Sequence, residues 1–126
     1  MEKQPTLNHS EWLVMEYLWQ RPHTLMELVT ALGESVGWSK STVATVVRRM
    51  EEKGIISYAE QGRAKVFSPA LSREDVTARE TKSLLQRAYN GSIGLLVSTM
   101  AQSNTLTKAD IDELYAILKK AEEDAK

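Results

Sequence analysis

The chain has 126 residues and a formal net charge of −1, and 42% of its residues are hydrophobic and 26% charged. This composition is typical of a globular domain with a sizeable core, and no stretch approaches the ~18 apolar residues of a membrane span. The absence of cysteine excludes disulfides, thiolate metal sites and a cysteine nucleophile. Residues 1–8 are polar, without the apolar segment of a secretory signal, so we expect a cytoplasmic protein that does not enter a membrane.

A repeated pattern marks where helices begin. Asn8, Thr24, Ser72 and Thr107 each offer a side-chain oxygen and are followed three positions later by Glu or Asp. In such a capping box the first side chain accepts from the third backbone N–H, while the acid lies near the positive end of the helix dipole. Together with the apolar periodicity, the pattern predicts helices over residues 9–20, 25–36, 40–53, 73–101 and 108–124.

The third predicted helix has two different faces. Val43, Val46, Val47 and Met50 recur at helical spacing and form one stripe that must be buried. The opposite face carries short hydroxyl and methyl side chains in its first turns and arginines further on. Serine and threonine are ordinary at helix starts and arginine is ordinary on exposed faces, so this face alone does not distinguish a solvated surface from a binding surface.

The periodicity changes between the third and fourth helices. Ile56, Tyr58, Val66 and Phe67 flank the segment EQGR, in which Gly62 supplies the positive φ of a tight turn. This pattern predicts a two-stranded hairpin. Three short helices followed by a hairpin is the order of a winged-helix domain, a variant of the helix-turn-helix, so we predict a mainly α fold.

A winged helix suits nucleic acid as a partner. A helix in the major groove approaches base edges closely, which favours small side chains, and arginine then reaches guanine or phosphate. Residues 40–65 carry six basic and three acidic side chains, whereas the whole chain is slightly acidic. The alternative is a winged helix that binds another protein and no DNA. The candidate DNA-binding residues are Lys40, Ser41, Thr42, Ala44, Thr45, Arg48, Arg49, Arg63 and Lys65.

The C-terminal segment has more apolar surface than it can cover alone. We predict a winged-helix domain over residues 1–71 and a helical dimerisation domain over residues 72–126, with its first helix interrupted at Asn90-Gly91 and Gly94. Two helices without a third to cover them need a partner, here a second copy of the chain. The candidate contacts are Leu84, Leu85, Ala88, Tyr89, Leu95, Leu96, Met100, Ile111, Leu114, Tyr115 and Leu118.

Enzymatic chemistry has little support in the sequence. His9 and His23 are the two histidines, and we expect both at the surface or at helix caps. There is no HExxH motif, no Gly-rich phosphate loop after a strand and no Ser-His-Asp pattern. We therefore predict no enzymatic activity, no cofactor and no metal site.

Four segments follow one another along nearly the whole chain, namely LNHSEWLVMEYLW, WSKSTVATVVRRMEEKGII, GRAKVFSP and YNGSIGLLVSTMAQSNTLTKADIDELYAILKK. Together they resemble the penicillinase repressor family, the BlaI/MecI/CopY type of bacterial transcriptional repressor. The resemblance implies a homodimeric repressor whose winged helices bind a palindromic operator in double-stranded DNA. It also implies C-terminal helices that hold the dimer together, and regulation of the type seen in β-lactam resistance.

The family also has patterns from which this chain departs. The copper-responsive branch carries a C-terminal cysteine motif, which this chain lacks, so thiolate copper sensing is excluded. In the resistance-regulating branch the resemblance implies inactivation by cleavage at an Asn-Phe bond in the dimerisation segment, which makes a sensor protease a candidate partner of this chain. Here Thr99-Met100 stands at that place. Ser41 and Ala44 replace long basic residues of the penicillinase repressors, so the operator sequence is not carried over.

Overall fold

The computed structural model describes residues 6–125. Residues 1–5 and residue 126 lie outside the described residues, and so does most of the polar segment 1–8 that lacks a secretory signal pattern. The helices are α1 His9–Leu18, α2 Leu25–Val36, α3 Lys40–Lys53, α4 Arg73–Tyr89, α5 Ile93–Gln102 and α6 Lys108–Asp124. The strands are β1 His23–Thr24, β2 Ile56–Gln61 and β3 Ala64–Pro69. None of the helices within residues 6–125 has the length and apolar character needed to cross a membrane.

Capping boxes begin α1, α2 and α6, as predicted. At Asn8, Thr24 and Thr107 the cap side chain accepts from the third backbone N–H, and the acid at that position accepts from the cap N–H in return. At α4, Ser72 accepts from the Asp75 N–H at 3.0 Å. Each such cap stabilises its helix by about 0.5–2 kcal/mol, which explains why these helix starts could be predicted from local sequence.

The predicted fourth helix is two helices in the structure. Asn90 and Gly91 adopt positive φ angles of 50° and 83°, and this left-handed conformation ends α4. The predicted interruption at Asn90-Gly91 is therefore confirmed. The predicted interruption at Gly94 is wrong, because Ser92 caps a new helix by accepting from the Leu95 N–H at 3.1 Å, and Gly94 lies inside it.

The predicted hairpin is confirmed, and it gains a third strand. β2 and β3 pair antiparallel from Ile56 opposite Pro69 to Gln61 opposite Ala64, and Gly62 at the turn has a φ of 63°. The strand order is β1-β3-β2. The sequence did not reveal β1, because two residues are too few for an alternating pattern to be recognised.

His23 is a correction to the sequence prediction. We expected it at the surface or at a cap, but the residue is only 5% exposed. It is buried because β1 places it opposite Phe67 of β3, and its ring stands edge-on to Tyr17 with the centroids 6.0 Å apart. Its Nδ1 lies 2.8 Å from the Arg21 carbonyl oxygen.

One hydrophobic core supports the three N-terminal helices and the base of the hairpin. The predicted stripe of α3 is confirmed, since Val43, Val47 and Met50 are buried and Val46 packs at the edge of the core. Side chains from α1, α2, the hairpin and α4 complete it. They are Leu7, Val14, Met15, Leu18, Leu28, Leu32, Ile55, Ile56, Phe67 and Val76.

The chain divides into two units after Thr81. The first turns of α4 therefore belong to the winged-helix unit, because Val76 is buried in its core. The predicted domain boundary lay earlier, after residue 71. In the second unit, no residue from 82 to 125 is buried within the chain.

Candidate nucleic-acid interface

α3 presents short side chains over its first turns, outside its buried stripe. Ser39 caps the helix by accepting from the Thr42 N–H at 3.2 Å. Ser41 and Thr42 are exposed, while Ala44 and Thr45 are half-buried. With no long side chain on these positions, the first two turns of α3 allow another molecule to approach the backbone closely.

Five predicted cations are exposed on α3 and the wing, which is the β2–β3 hairpin. They are Lys40, Arg48, Arg49, Arg63 and Lys65. Within residues 6–125, Arg48 and Lys65 have partners. The Arg48 guanidinium pairs with Glu52 at 3.2 Å, one helical turn further on, and the Lys65 ammonium lies 4.2 Å from the centroid of the Tyr58 ring.

A groove of about 600 Å³ lies between α3, the start of α2 and the wing. It brings together four of the predicted site residues, namely Ala44, Arg48, Arg63 and Lys65. The other predicted residues, Lys40, Ser41, Thr42, Thr45 and Arg49, lie on the remaining surface of α3 outside the groove lining. The further lining residues are Thr24, Leu25, Met26, Val47, Glu51, Ala64 and Phe67.

The sequence prediction missed several residues of this surface. Glu52 forms an ion pair with Arg48, one of the predicted site residues. The two residues are four positions apart, and this spacing is a local signal that could have identified the pair. Met26 is 54% exposed and, like Glu51, lines the groove. Their places depend on how α2 and the wing pack beside α3, so no local pattern indicates them.

The C-terminal unit exposes much of the apolar surface predicted for a dimer. Leu84, Ala88, Leu95, Ile111, Tyr115 and Leu118 are exposed, and Leu85, Tyr89, Leu96, Met100 and Leu114 are half-buried within the chain. The exposed fraction reaches 72% for Tyr115 and 62% for Leu118. Three further exposed apolar residues were not in the prediction, namely Ile93, Val97 and Ile117.

The candidate cleavage bond Thr99-Met100 lies inside α5. Both residues have helical backbone conformation, and the Thr99 hydroxyl donates to the Leu95 carbonyl oxygen one turn earlier at 2.8 Å. A protease that takes an extended substrate would have to unwind this helix before cleaving it. Among residues 6–125, no three His, Asp or Glu side chains are grouped so that they could hold a metal ion.

Comparisons with known proteins agree with one another. The sequence model of a family described as penicillinase repressor matches residues 7–120. The penicillinase repressor of Bacillus licheniformis is 29% identical over 94% of this chain and 93% of its own length. The methicillin resistance regulatory protein MecI of Staphylococcus aureus (strain N315) is 23% identical over 90% of this chain and 94% of its own.

A solved structure matches the N-terminal part of the fold. The solution structure of the DNA binding domain of the repressor BlaI superposes with a TM-score of 0.53 and 28% sequence identity. The match covers 60% of this chain and 93% of that domain. The winged-helix architecture predicted from the order of helices and hairpin is thereby confirmed.

Proposed function

Because this chain belongs to the penicillinase repressor family, we propose that it is a transcriptional repressor that binds operator DNA as a homodimer. The observation that carries the proposal is the surface shared by α3 and the wing, where Arg48, Arg63 and Lys65 line one groove beside small side chains. Exposed cations attract the phosphate backbone, and short side chains let a helix approach base edges. The protein then represses by occupying DNA, without catalysis.

The site residues divide into two roles. Ser41, Thr45 and Arg48 share the outward face of α3 and are proposed to read base edges, together with Ala44 at the groove. Phosphate contacts are proposed for the remaining cations, which lie on the flanks of α3 and on the wing. They are Lys40, Arg49, Arg63 and Lys65, with Thr42 as a hydroxyl donor.

The homodimer is supported by the exposed apolar side chains of the C-terminal unit. Ile111, Tyr115 and Leu118 follow one another at helical spacing on α6, and a second copy is a partner able to cover them. A two-fold dimer places its recognition helices about 34 Å apart, or a multiple of that distance, and so matches a palindromic operator. Similarity to a penicillinase repressor and to a methicillin resistance regulatory protein supports a role in regulating β-lactam resistance. Proteolysis at Thr99-Met100 by a sensor protease is the inactivation step that we propose from the family resemblance.

The function is tested by selecting DNA from a random pool with the full-length protein. An enriched inverted repeat is the expected result. Its affinity should fall by about 10³–10⁵ between 50 and 200 mM salt if 6–10 phosphates are contacted. A folded protein that enriches no sequence, or that binds with an affinity independent of salt, would contradict the DNA function and favour a protein partner.

Replacing Arg48 with alanine should weaken binding to the selected operator by about 1–3 kcal/mol per half-site and relax specificity at one base pair. The reason is the loss of a guanidinium that can bond a guanine edge in two places. Fluorescence anisotropy with operators substituted at each position measures both effects. Lys108→Ala is the matched control, because Lys108 on α6 is an exposed cation that, like Arg48, pairs with an acid four residues further on. This variant should bind like the unmodified protein.

Replacing Glu52 with glutamine should strengthen operator binding a few-fold, on the scale of about 0.5–1 kcal/mol for an exposed ion pair. In the free protein the Glu52 carboxylate holds Arg48 at 3.2 Å, and on the DNA it would lie near phosphates of like charge. The same anisotropy titration measures the change, with Glu113→Gln on α6 as the control. Weaker binding would mean instead that Glu52 accepts a hydrogen bond from a base.

A further inference from the structure

The groove between α3, the start of α2 and the wing has an apolar floor. Val47 of α3 and Phe67 of β3 belong to the hydrophobic core of the winged-helix unit, and both also line the groove. Leu25 at the start of α2 is half-buried and lines the groove with them. The core of this unit therefore reaches the surface here, and the floor favours contact with an apolar ligand over contact with water.

The side chains around the floor leave room for a ligand. Ala44 lies one turn before Val47 on the same side of α3 and contributes a single methyl group. Met26 of α2 lines the groove and is 54% exposed. An unbranched thioether side chain adapts to ligands of different shapes. The groove volume of about 600 Å³ is within the range of about 300–1,000 Å³ that is typical of small-molecule sites.

Positive charge reaches the groove from two elements. Of the described residues that line it, Arg48, Arg63 and Lys65 are cationic and Glu51 is acidic. Arg48 comes from α3, whereas Arg63 and Lys65 come from the wing. An arginine can hold an oxyanion such as a carboxylate through two parallel hydrogen bonds. The excess of cations over acids favours a ligand that carries a negative group.

DNA accounts for the cations of the groove but not for its floor. Phosphate contacts are made by charged and hydroxyl side chains and by backbone N–H groups, so they do not need Val47 or Phe67. Base edges are proposed above to meet the outward face of α3. An apolar floor with cations beside it instead matches a ligand that combines an apolar body with a negative charge.

We propose that this groove binds an amphipathic organic anion, a flat apolar body that carries one carboxylate or sulfonate, and that the bound anion displaces operator DNA. The displacement rests on the proposed function. The apolar body covers Val47 and Phe67, and the negative group pairs with Arg48 or with the cations of the wing. Because these cations are also the proposed DNA contacts, ligand and operator compete for the same side chains, and binding of the ligand relieves repression.

The sulfonate probe for this site is 1-anilinonaphthalene-8-sulfonate, whose fluorescence rises in apolar surroundings. Titrated into the full-length protein, it should bind with a dissociation constant on the order of 10–100 µM, as expected for a ligand of its size. The neutral probe, N-phenyl-1-naphthylamine, has the same rings without the sulfonate and should bind about tenfold more weakly. Equal binding of the two probes would mean that the cations take no part, and would overturn the proposal.

Variants of the groove locate the bound probe. Arg63→Ala/Lys65→Ala should weaken binding of the sulfonate probe by about tenfold and leave the neutral probe unaffected. Met26→Glu, which places a carboxylate beside the apolar floor, should weaken binding of both probes. Lys108→Ala/Lys119→Ala is the matched control, because it removes two exposed cations of α6 and changes the net charge equally. It should bind both probes like the unmodified protein.

Two results with these variants would overturn the proposal. If the α6 control and the wing variant weaken the sulfonate probe equally, the attraction is to the overall charge of the protein. If neither the wing variant nor Met26→Glu changes its binding, the probe lies outside the groove. Circular dichroism establishes that each variant is folded, and Arg63→Gln/Lys65→Gln replaces the wing variant if that protein unfolds.

Competition with DNA tests the displacement. The operator selected from the random pool should release the sulfonate probe. Conversely, the probe at about ten times its dissociation constant should weaken operator binding by about tenfold for each groove that must be emptied. Sodium methanesulfonate at the same concentration carries the charge without the apolar body and should have little effect. If the operator and the probe bind together without competing, the displacement is wrong.

These outcomes separate the inference from the proposed function. If no DNA sequence is selected but binding of the sulfonate probe still depends on Arg63 and Lys65, the proposed function and the displacement fail while the ligand site stands. If an operator is selected but the sulfonate probe does not bind, the DNA function stands and the ligand site is overturned.

Discussion

Replacing Tyr115 and Leu118 with glutamate is expected to convert the proposed dimer into folded monomers and to weaken operator binding by about 10²-fold or more. Joining two half-site contacts in one molecule raises affinity by roughly 10²–10⁴, and a monomer loses that gain. These two side chains are the most exposed of the predicted contacts on α6, at 72% and 62%, so the substitutions leave the chain's own packing intact. Sedimentation velocity and anisotropy titration measure the two effects.

Ala116→Glu is the matched control for this double variant. Ala116 is exposed on the opposite side of α6 from Leu118, so it adds a carboxylate to the same helix outside the proposed interface. It should remain a dimer and bind the operator normally. A Tyr115→Glu/Leu118→Glu protein that still sediments as a dimer would remove α6 from the interface and direct attention to Ile93 and Val97 of α5.

Replacing Lys53 with methionine is expected to lower the free energy of unfolding by about 1–3 kcal/mol, the range for a buried polar group that loses its partner. The Glu11 side chain is only 3% exposed, and its Oε2 lies 2.6 Å from the Lys53 ammonium. Its other oxygen, Oε1, accepts from the Asn8 N–H at 3.0 Å. Without Lys53, the buried Glu11 carboxylate loses its ion pair and retains the capping hydrogen bond from the Asn8 N–H. Urea unfolding followed by circular dichroism measures the change.

Two further variants identify the cause of that loss. Glu11→Gln/Lys53→Met removes the unpaired charge and keeps a side-chain oxygen for the capping bond, so it should recover part of the stability. Lys120→Met breaks an exposed pair with Asp124 and should cost less than about 0.5 kcal/mol. If Lys53→Met were no more destabilising than Lys120→Met, water would be satisfying the Glu11 carboxylate and the ion pair would be incidental.

Local sequence was sufficient for most of the secondary structure and for identifying which face of α3 is exposed. The predicted spans of α2, α3 and α6 agree with the structure, because a capping side chain, an apolar stripe and a terminating residue all act within a few positions of one another. The hairpin was visible for the same reason, since its turn needs a residue such as Gly62 that tolerates positive φ. The exposed face of α3 followed from periodicity once its buried stripe was known.

The order of the elements carried the inference from fold to function. Three helices followed by a hairpin predicted a winged helix, and the family match over residues 7–120 confirmed the resemblance on which the repressor assignment was based. The DNA-contacting and dimer-contacting residues remain predictions, because each depends on a partner that the chain alone does not contain. Most of the DNA-contacting set is exposed on α3 and the wing, and about half of the dimer-contacting set is exposed on α4, α5 and α6.

Short-range patterns in the sequence were enough to predict the helix starts, the hairpin and the buried stripe of α3, and the order of several such segments along the chain was enough to identify the family. Helix and strand packing was needed to establish that His23 is buried beside β3, that Glu11 pairs with Lys53 and that Arg73 joins α4 to α1. These contacts link residues distant in sequence, and a side chain's partner then depends on how whole helices pack. Periodicity identifies the buried face of a helix, but it does not identify the residues that the face will meet.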